Sequence, residues 1–203
     1  MTEPKSSVAP EALLELMRRR RSFKPAMLKP EAPSREVITQ LLEAANWAPS
    51  HGQTEPWRFT VFAGEARSQL GDLWAEAYKF DAEKKGNFAA DQMEINRKKP
   101  QNAPVWISLG LQPALKPDGS RAFPEEEESQ AVACAVQNLH LMATAHGMGG
   151  QWTTTKLFCH EVVARGIGLT APGRLVGFFF VGHANVEWPA GKRGELAAKV
   201  RWA

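Results

Sequence analysis

Apolar positions Val37, Ile38, Leu41, Leu42 and Ala45 recur at helical spacing, and Ser34 stands before them behind Pro33, so a helix capped by Ser34 is predicted. An earlier apolar cluster, Ala12, Leu13, Leu14, Leu16 and Met17, predicts a first helix that runs out into Arg18–Arg21. Trp57–Ala63 alternates apolar and polar residues up to Gly64 and reads as a strand. Residues 65–99 are charged, with Leu70, Leu73, Trp74, Ala77 and Phe80 scattered among them, which predicts a helical, partly exposed region ending at Pro100. Val105–Leu111 is a short apolar run, expected to be a buried strand, and 113–119 the loop after it. The segment Ala131–Ala145 is almost wholly small or apolar and predicts a core helix, closed by Gly147–Gly150. Residues 174–182 form a near-continuous apolar strand, central in its sheet. Helices interleaved with three or four strands indicate an α+β or mixed α/β domain, with helices flanking one sheet.

Two of these elements carry more than their secondary structure. A helix apolar on most sides must be buried on most sides, so part of 131–145 is expected to be covered by a second subunit. The tail from His183 to Ala203 is polar but holds Trp188 and Trp202, and is expected to pack on something, the partner subunit being the candidate. Pro124 suits a first helical turn, and the acidic run Glu125–Glu128 complements the positive end of the helix dipole, which explains the run without catalysis.

Composition narrows the class. With 203 residues, 43% hydrophobic, 23% charged and seven Trp, the chain reads as one globular domain. A net charge of +3 is too mild to imply nucleic acid by itself. The start lacks a signal-peptide core and no apolar run reaches membrane-spanning length, so a cytoplasmic location is expected. Cys134 and Cys159 are expected to be reduced thiols, and no metal-ligand cluster stands among the five histidines.

The chemistry is narrowed first by exclusion. The chain has no Gly-x-Gly-x-x-Gly after a strand, no phosphate-binding Walker loop and no Gly-x-Ser-x-Gly elbow. What stands out is Arg18-Arg-Arg-Arg-Ser-Phe-Lys24, where guanidinium forks and a hydroxyl are offered together, a set that matches phosphate oxygens in pairs. Taken alone it is also what a solvated basic turn or a nucleic-acid patch would contain. It is followed by Ala48-Pro-Ser-His-Gly-Gln-Thr-Glu-Pro-Trp-Arg-Phe59 and, much later, by Gly149-Gly-Gln-Trp-Thr-Thr154. In this order and spacing the three segments resemble the nitroreductase family of FMN-dependent oxidoreductases, in particular its short members, over residues 10 to 183.

The resemblance implies the nitroreductase fold, a central mixed sheet flanked by helices in an interlocked homodimer, with residues 1–9 a flexible N-terminus and 184–203 a tail on the partner. It implies FMN at the interface. Arg20 and Ser22 match the phosphate and ribityl contacts, with Arg21 between them, and Lys24 matches the basic residue near flavin N1 and O2. His51 and Gln53 occupy the loop at the flavin's polar edge, and Trp47 approaches the cofactor of the other subunit. Trp152, Thr153 and Thr154 match contacts on the ring's other side, and Arg193, beside Lys192, is a candidate second phosphate cation. Ala143, Thr144, Ala145, His146 and Gly147 match a region implied in nicotinamide contact. No side chain is nominated as general acid or base, since hydride transfer needs stacking geometry more than a titrating group. The implied activity passes hydride from NAD(P)H through flavin N5 to a nitroaromatic or quinone in alternating half-reactions. A flavin-binding protein without that turnover and a phosphate-clamping nucleic-acid binder are the alternatives. Glu55, Gln53 and Thr153 depart from the family's Gln, Asn and Arg, which bears on nucleotide preference and flavin potential.

Overall fold

The computed structural model describes residues 8–203. The expected flexible N-terminus therefore falls, for residues 1–7, outside the described residues. The chain runs α1 (Pro10–Arg19), α2 (Arg35–Asn46), β1 (Trp57–Ala63), α3 (Ala66–Lys84), α4 (Ala90–Lys98), β2 (Val105–Leu111), α5 (Glu125–Ala145), β3 (Met148–Thr153), α6 (Glu161–Gly166) and β4 (Arg174–His183). Ser34 caps α2 as its position predicts, its hydroxyl accepting from the Val37 N–H at 3.3 Å. Pro124 stands one residue earlier than expected, as the N-cap of α5 rather than inside its first turn.

The four strands lie in the order β1-β2-β4-β3, and every ladder is antiparallel. This corrects the expected mixed sheet. The period-2 pattern of a strand tells which face is buried but nothing of its direction. The parallel contact that does occur is a single bridge, Ser22 to Gly150, outside the ladders.

Alternation divides the strand side chains between two cores. Val105, Ile107, Leu109 and Leu111 of β2, with Phe179 and Val181 of β4, face α2 and α5. Trp106, Phe178 and Phe180 face the other way, against Leu70, Trp74 and Ala77 of α3 and Val162–Ala164 of α6. Covered on both faces, β2 and β4 bury nearly every position, and this is why their sequences read as unbroken apolar runs. Trp74 is the centre of the second core. It stacks on Phe158 at 4.3 Å and meets Trp106 and Phe178 edge to face, its indole N–H among rings and without a hydrogen-bond acceptor.

Three sequence expectations are revised. Only Gly147, at φ +67°, ends α5, and Met148–Thr153 is already strand β3; two adjacent glycines carry no side chains with which to display an alternation. The helix α5 is covered by its own chain over much of its surface, between α2 and the sheet, but leaves Gln130, Cys134, Gln137 and Ala145 exposed and Leu141 and Met142 half-buried, so an apolar part of its last turns stays open to a partner. Apolar surface is also uncovered on α1, where Leu13, Leu14 and Met17 are exposed and no residue is buried, and at Trp47, 81% exposed. Finally, the first part of the tail packs on its own subunit. Trp188 meets Phe23 at 4.9 Å and donates from its indole to the Arg19 carbonyl at 2.6 Å, whereas Leu196, Val200 and Trp202 stay exposed.

Candidate functional site

The basic segment is shaped by where α1 stops. Arg20 leaves the helix at φ −55°, ψ 127°, and the chain continues extended until Ser22 bridges Gly150 and the Phe23 N–H donates to the Gly150 carbonyl at 3.2 Å. The arginine block is thereby tied to the outer edge of β3, an edge that is open beyond Gly150. Phe23, fully buried, is the plug that holds this join, its ring lying against Gly149.

The four arginines are not equivalent. The Arg21 guanidinium donates to three carbonyls, Pro189 at 2.9 Å, Arg18 at 2.6 Å and Arg20 at 2.7 Å, and so staples the tail to α1. Its expected role as a cofactor contact meets a side chain already committed to protein carbonyls. Arg18 and Arg19 are exposed. Arg20 is half-buried and, among the described residues, its guanidinium has no hydrogen-bond or ion-pair partner. Burial first, then the neighbouring cations Arg193 and Arg21, push its pKa below the usual arginine value. A desolvated cation among cations lacks only an anion. A cavity of about 430 Å³ opens beside this cluster, walled by Met17, Arg18, Arg21, Gly191, Lys192 and Arg193. Ser22 and Lys24 are exposed on the same stretch.

Behind Arg20 stands His140 of α5, buried edge-on against Phe179 at 4.6 Å. Burial, and then the Arg20 charge, lower its pKa from 6.5 to about 4. As pH falls the unfolded chain takes up this proton before the folded chain does, so stability is lost between about pH 6.5 and 4. Fully developed, that loss is about 3 kcal/mol. His140→Phe is expected to flatten the acid limb of the melting profile by this amount, measured as Tm against pH; parallel profiles for the two proteins would refute it.

The other expected contacts lie elsewhere. His51–Gln53 form a short 3₁₀ turn in a loop with positive φ at Gly52, Gln53 and Glu55. Two of these are not glycine, so the loop holds strain. His51 Nδ1 lies 2.5 Å from Glu127 Oε2 and its ring rests on Phe123 at 4.6 Å, which anchors the loop to the first turn of α5. Glu125 pairs with Arg174 and Arg121, and the buried Glu128 accepts from Arg121 and from the Ala114 N–H. Most of the acidic run is thus spent on named partners. Glu127 and His140 are 13 residues apart on α5, about 20 Å along its axis, so one subunit holds Arg20 and His51 at separate places.

Trp152 is half-buried and its indole donates to the Val176 carbonyl at 3.0 Å; Thr153 is half-buried beside it and Thr154 exposed. Of the segment expected to meet a nicotinamide, Ala143 and Thr144 are buried, and Thr144 Oγ1 donates to the His140 carbonyl. Ala145, His146 and Gly147 reach the surface. Trp47 caps α2 and borders an apolar groove with Leu13, Leu16, Leu141, Met142 and Ala145. That groove is the feature sequence reasoning missed, because its residues come from three helices and look like ordinary core positions on each.

Comparisons with known proteins identify the family and the fold. The sequence profile of the Nitroreductase family matches residues 17–183. The chain is 30% identical over 174 residues to the Escherichia coli K12 protein named "Putative NAD(P)H nitroreductase YdjA", covering 86% of this chain and 89% of that one. Among solved structures, a nitroreductase-like family protein from Bacillus cereus superposes with a TM-score of 0.75 at 24% identity, covering 100% of this chain and 98% of that one. The FMN-dependent nitroreductase NfnB from Mycobacterium smegmatis, solved with NADPH, superposes with a TM-score of 0.68 at 21% identity over 95% of this chain and 98% of its own. No helix among the described residues is long and apolar enough to cross a membrane.

Proposed function

The chain belongs to the nitroreductase family of oxidoreductases, and from that premise we propose that it binds FMN and oxidises NAD(P)H at the expense of a nitroaromatic or quinone. The observation that carries the cofactor is Arg20, a half-buried guanidinium with cationic neighbours and, among the described residues, no hydrogen-bond or ion-pair partner. A phosphate monoester dianion matches that set in charge and in hydrogen-bond geometry. FMN held there would supply the hydride-transfer chemistry between a nicotinamide and the acceptor.

The chain's own residues have three tasks. Arg20, with Ser22 and Arg193, binds the phosphate. The open edge of β3, with Trp152, Thr153 and Thr154, offers backbone groups and a flat wall to a planar ring, and Lys24 offers a cation where a reduced ring collects negative charge. Ala145, His146 and Gly147 line the approach for the nicotinamide nucleotide.

The loop contacts, His51 and Gln53, require a second copy: separated from Arg20 by about 20 Å of α5, they meet it only if a two-fold partner presents its own loop, whereas Trp47 stands in the apolar groove at the other end of α5 and would reach a partner's cofactor across the same interface. The exposed apolar face of α1, the groove at Trp47 and the exposed Leu196, Val200 and Trp202 supply surface for such a homodimer.

The purified protein is expected to be yellow, to release FMN and not FAD on denaturation, and to oxidise NADH or NADPH with a nitroaromatic acceptor. Colourless protein that takes up no added FMN would overturn the cofactor. Yellow protein without turnover would leave a flavin-binding protein of another kind.

A further inference from the structure

A second cleft, of about 340 Å³, lies on the opposite side of the sheet from α5, between α3, α4 and the segment leading out of β3. Its floor is Asn96. The residue is only 6% exposed, and among the described residues neither its amide nitrogen nor its amide oxygen has a hydrogen-bond partner. An amide with so little surface and no protein partner is free to pair with whatever enters the cleft. Neither polar atom is sealed off, so the surface Asn96 retains opens into the cleft.

The rim is charged. Lys156 and Lys85, both largely exposed, reach the same oxygen of Asp81, at 3.0 and 3.7 Å. The other Asp81 oxygen is 3.4 Å from His160 Nε2. His160 Nδ1 accepts the Val162 N–H at 3.1 Å, so the ring is the neutral tautomer with its proton on Nε2 and adds no charge. Lys156 holds the Asp81 carboxyl below the usual carboxylate range. Two ammonium groups therefore share one carboxylate, and the rim keeps one uncompensated positive charge. Between rim and floor the walls are Ala77, Ala82, Leu157 and the Tyr78 ring, whose hydroxyl accepts from the Ala89 N–H and keeps its own proton to donate.

We propose that this cleft binds a small hydroxylated organic carboxylate, its carboxylate at Lys85 and Lys156 and its hydroxyl at Asn96. The order of the contacts follows from burial. A carboxylate loses least solvation at the exposed ammonium rim, whereas a neutral hydroxyl is the group that can enter to the floor and satisfy the amide. Nothing in the site depends on a flavin.

4-Hydroxybenzoate added to the full-length protein as purified is a direct probe, followed by the side-chain amide signals of Asn96 in ¹H–¹⁵N spectra. Those signals are identified by their loss in Asn96→Leu. They are expected to shift saturably. Benzoate, lacking the hydroxyl, should bind about fivefold more weakly, and the Lys85→Gln/Lys156→Gln double variant should bind 4-hydroxybenzoate about tenfold more weakly. Should Asn96→Leu fold poorly, Asn96→Asp keeps the shape and places a carboxylate on the floor, which should abolish binding. Asn96 signals that never move, or an affinity indifferent to the Asn96 and lysine substitutions, would mean that the cleft holds water only, whatever the flavin content of the protein.

Discussion

Arg20→Ala is expected to weaken FMN binding by about tenfold or more, since a charge-assisted contact to a half-buried guanidinium contributes about 1.5–3 kcal/mol. Arg18→Ala, only two residues earlier, is expected to change it by less than about threefold. The difference rests on solvation. Arg18 is exposed, and salt and water screen what it contributes. Arg20 has already lost part of its hydration to burial, and the nearby Arg193 and Arg21 make it still more in need of an anion. Titration of FMN into the two apo variants at one salt concentration measures the contrast. Equal losses would place the phosphate in the open cavity walled by Arg18, Lys192 and Arg193 and remove Arg20 from the site.

Gly149→Ala is expected to cost about 2–3 kcal/mol of stability, a fall in Tm on the order of 4–12 °C for a chain of this size, and to weaken FMN binding as well. An added Cβ at residue 149 would fall inside van der Waals contact with three atoms of the Phe23 ring. That ring has no room to give. Phe23 is fully buried, its ring meets Trp188 at 4.9 Å, and its backbone N–H donates to the Gly150 carbonyl. Displacing it pulls the Ser22–Gly150 bridge apart and with it the position of Arg20. Thermal melting and FMN titration test the two halves separately. An unchanged Tm would show that Phe23 repacks freely; an unchanged FMN affinity with a lowered Tm would show that the bridge does not position the arginine.

The glycine pair of the third motif thus has a packing reason. Residue 149 is bare because Phe23 lies on it, and residue 150 because an added Cβ would strike the Phe179 ring and the Phe180 carbonyl. A substitution at residue 149 acts on the join between α1 and β3, and one at residue 150 on the seam between β3 and β4. The carboxylates of the first turn of α5 are placed comparably: Glu127 holds the strained loop at His51, and Glu128 holds the 114–121 loop.

Local pattern alone was enough for most of the elements. The Ser34 cap, the strand Trp57–Ala63, the buried run Val105–Leu111 and the apolar strand near 174–182 follow from residue type and periodicity, because capping and two-sided burial leave their mark within a few neighbouring residues. The arginine block and the ordered motifs were likewise legible as the marks of the nitroreductase family, to which the chain belongs. Strand direction and the identity of β3 were not, since an antiparallel and a parallel strand bury the same alternation and glycine shows none. Nor could the sequence rank four adjacent arginines. Only the folded chain ties Arg21 to the Pro189 carbonyl, exposes Arg18 and Arg19, and half-buries Arg20 near His140 and Arg193, because Pro189, His140 and Arg193 come from segments more than a hundred residues away.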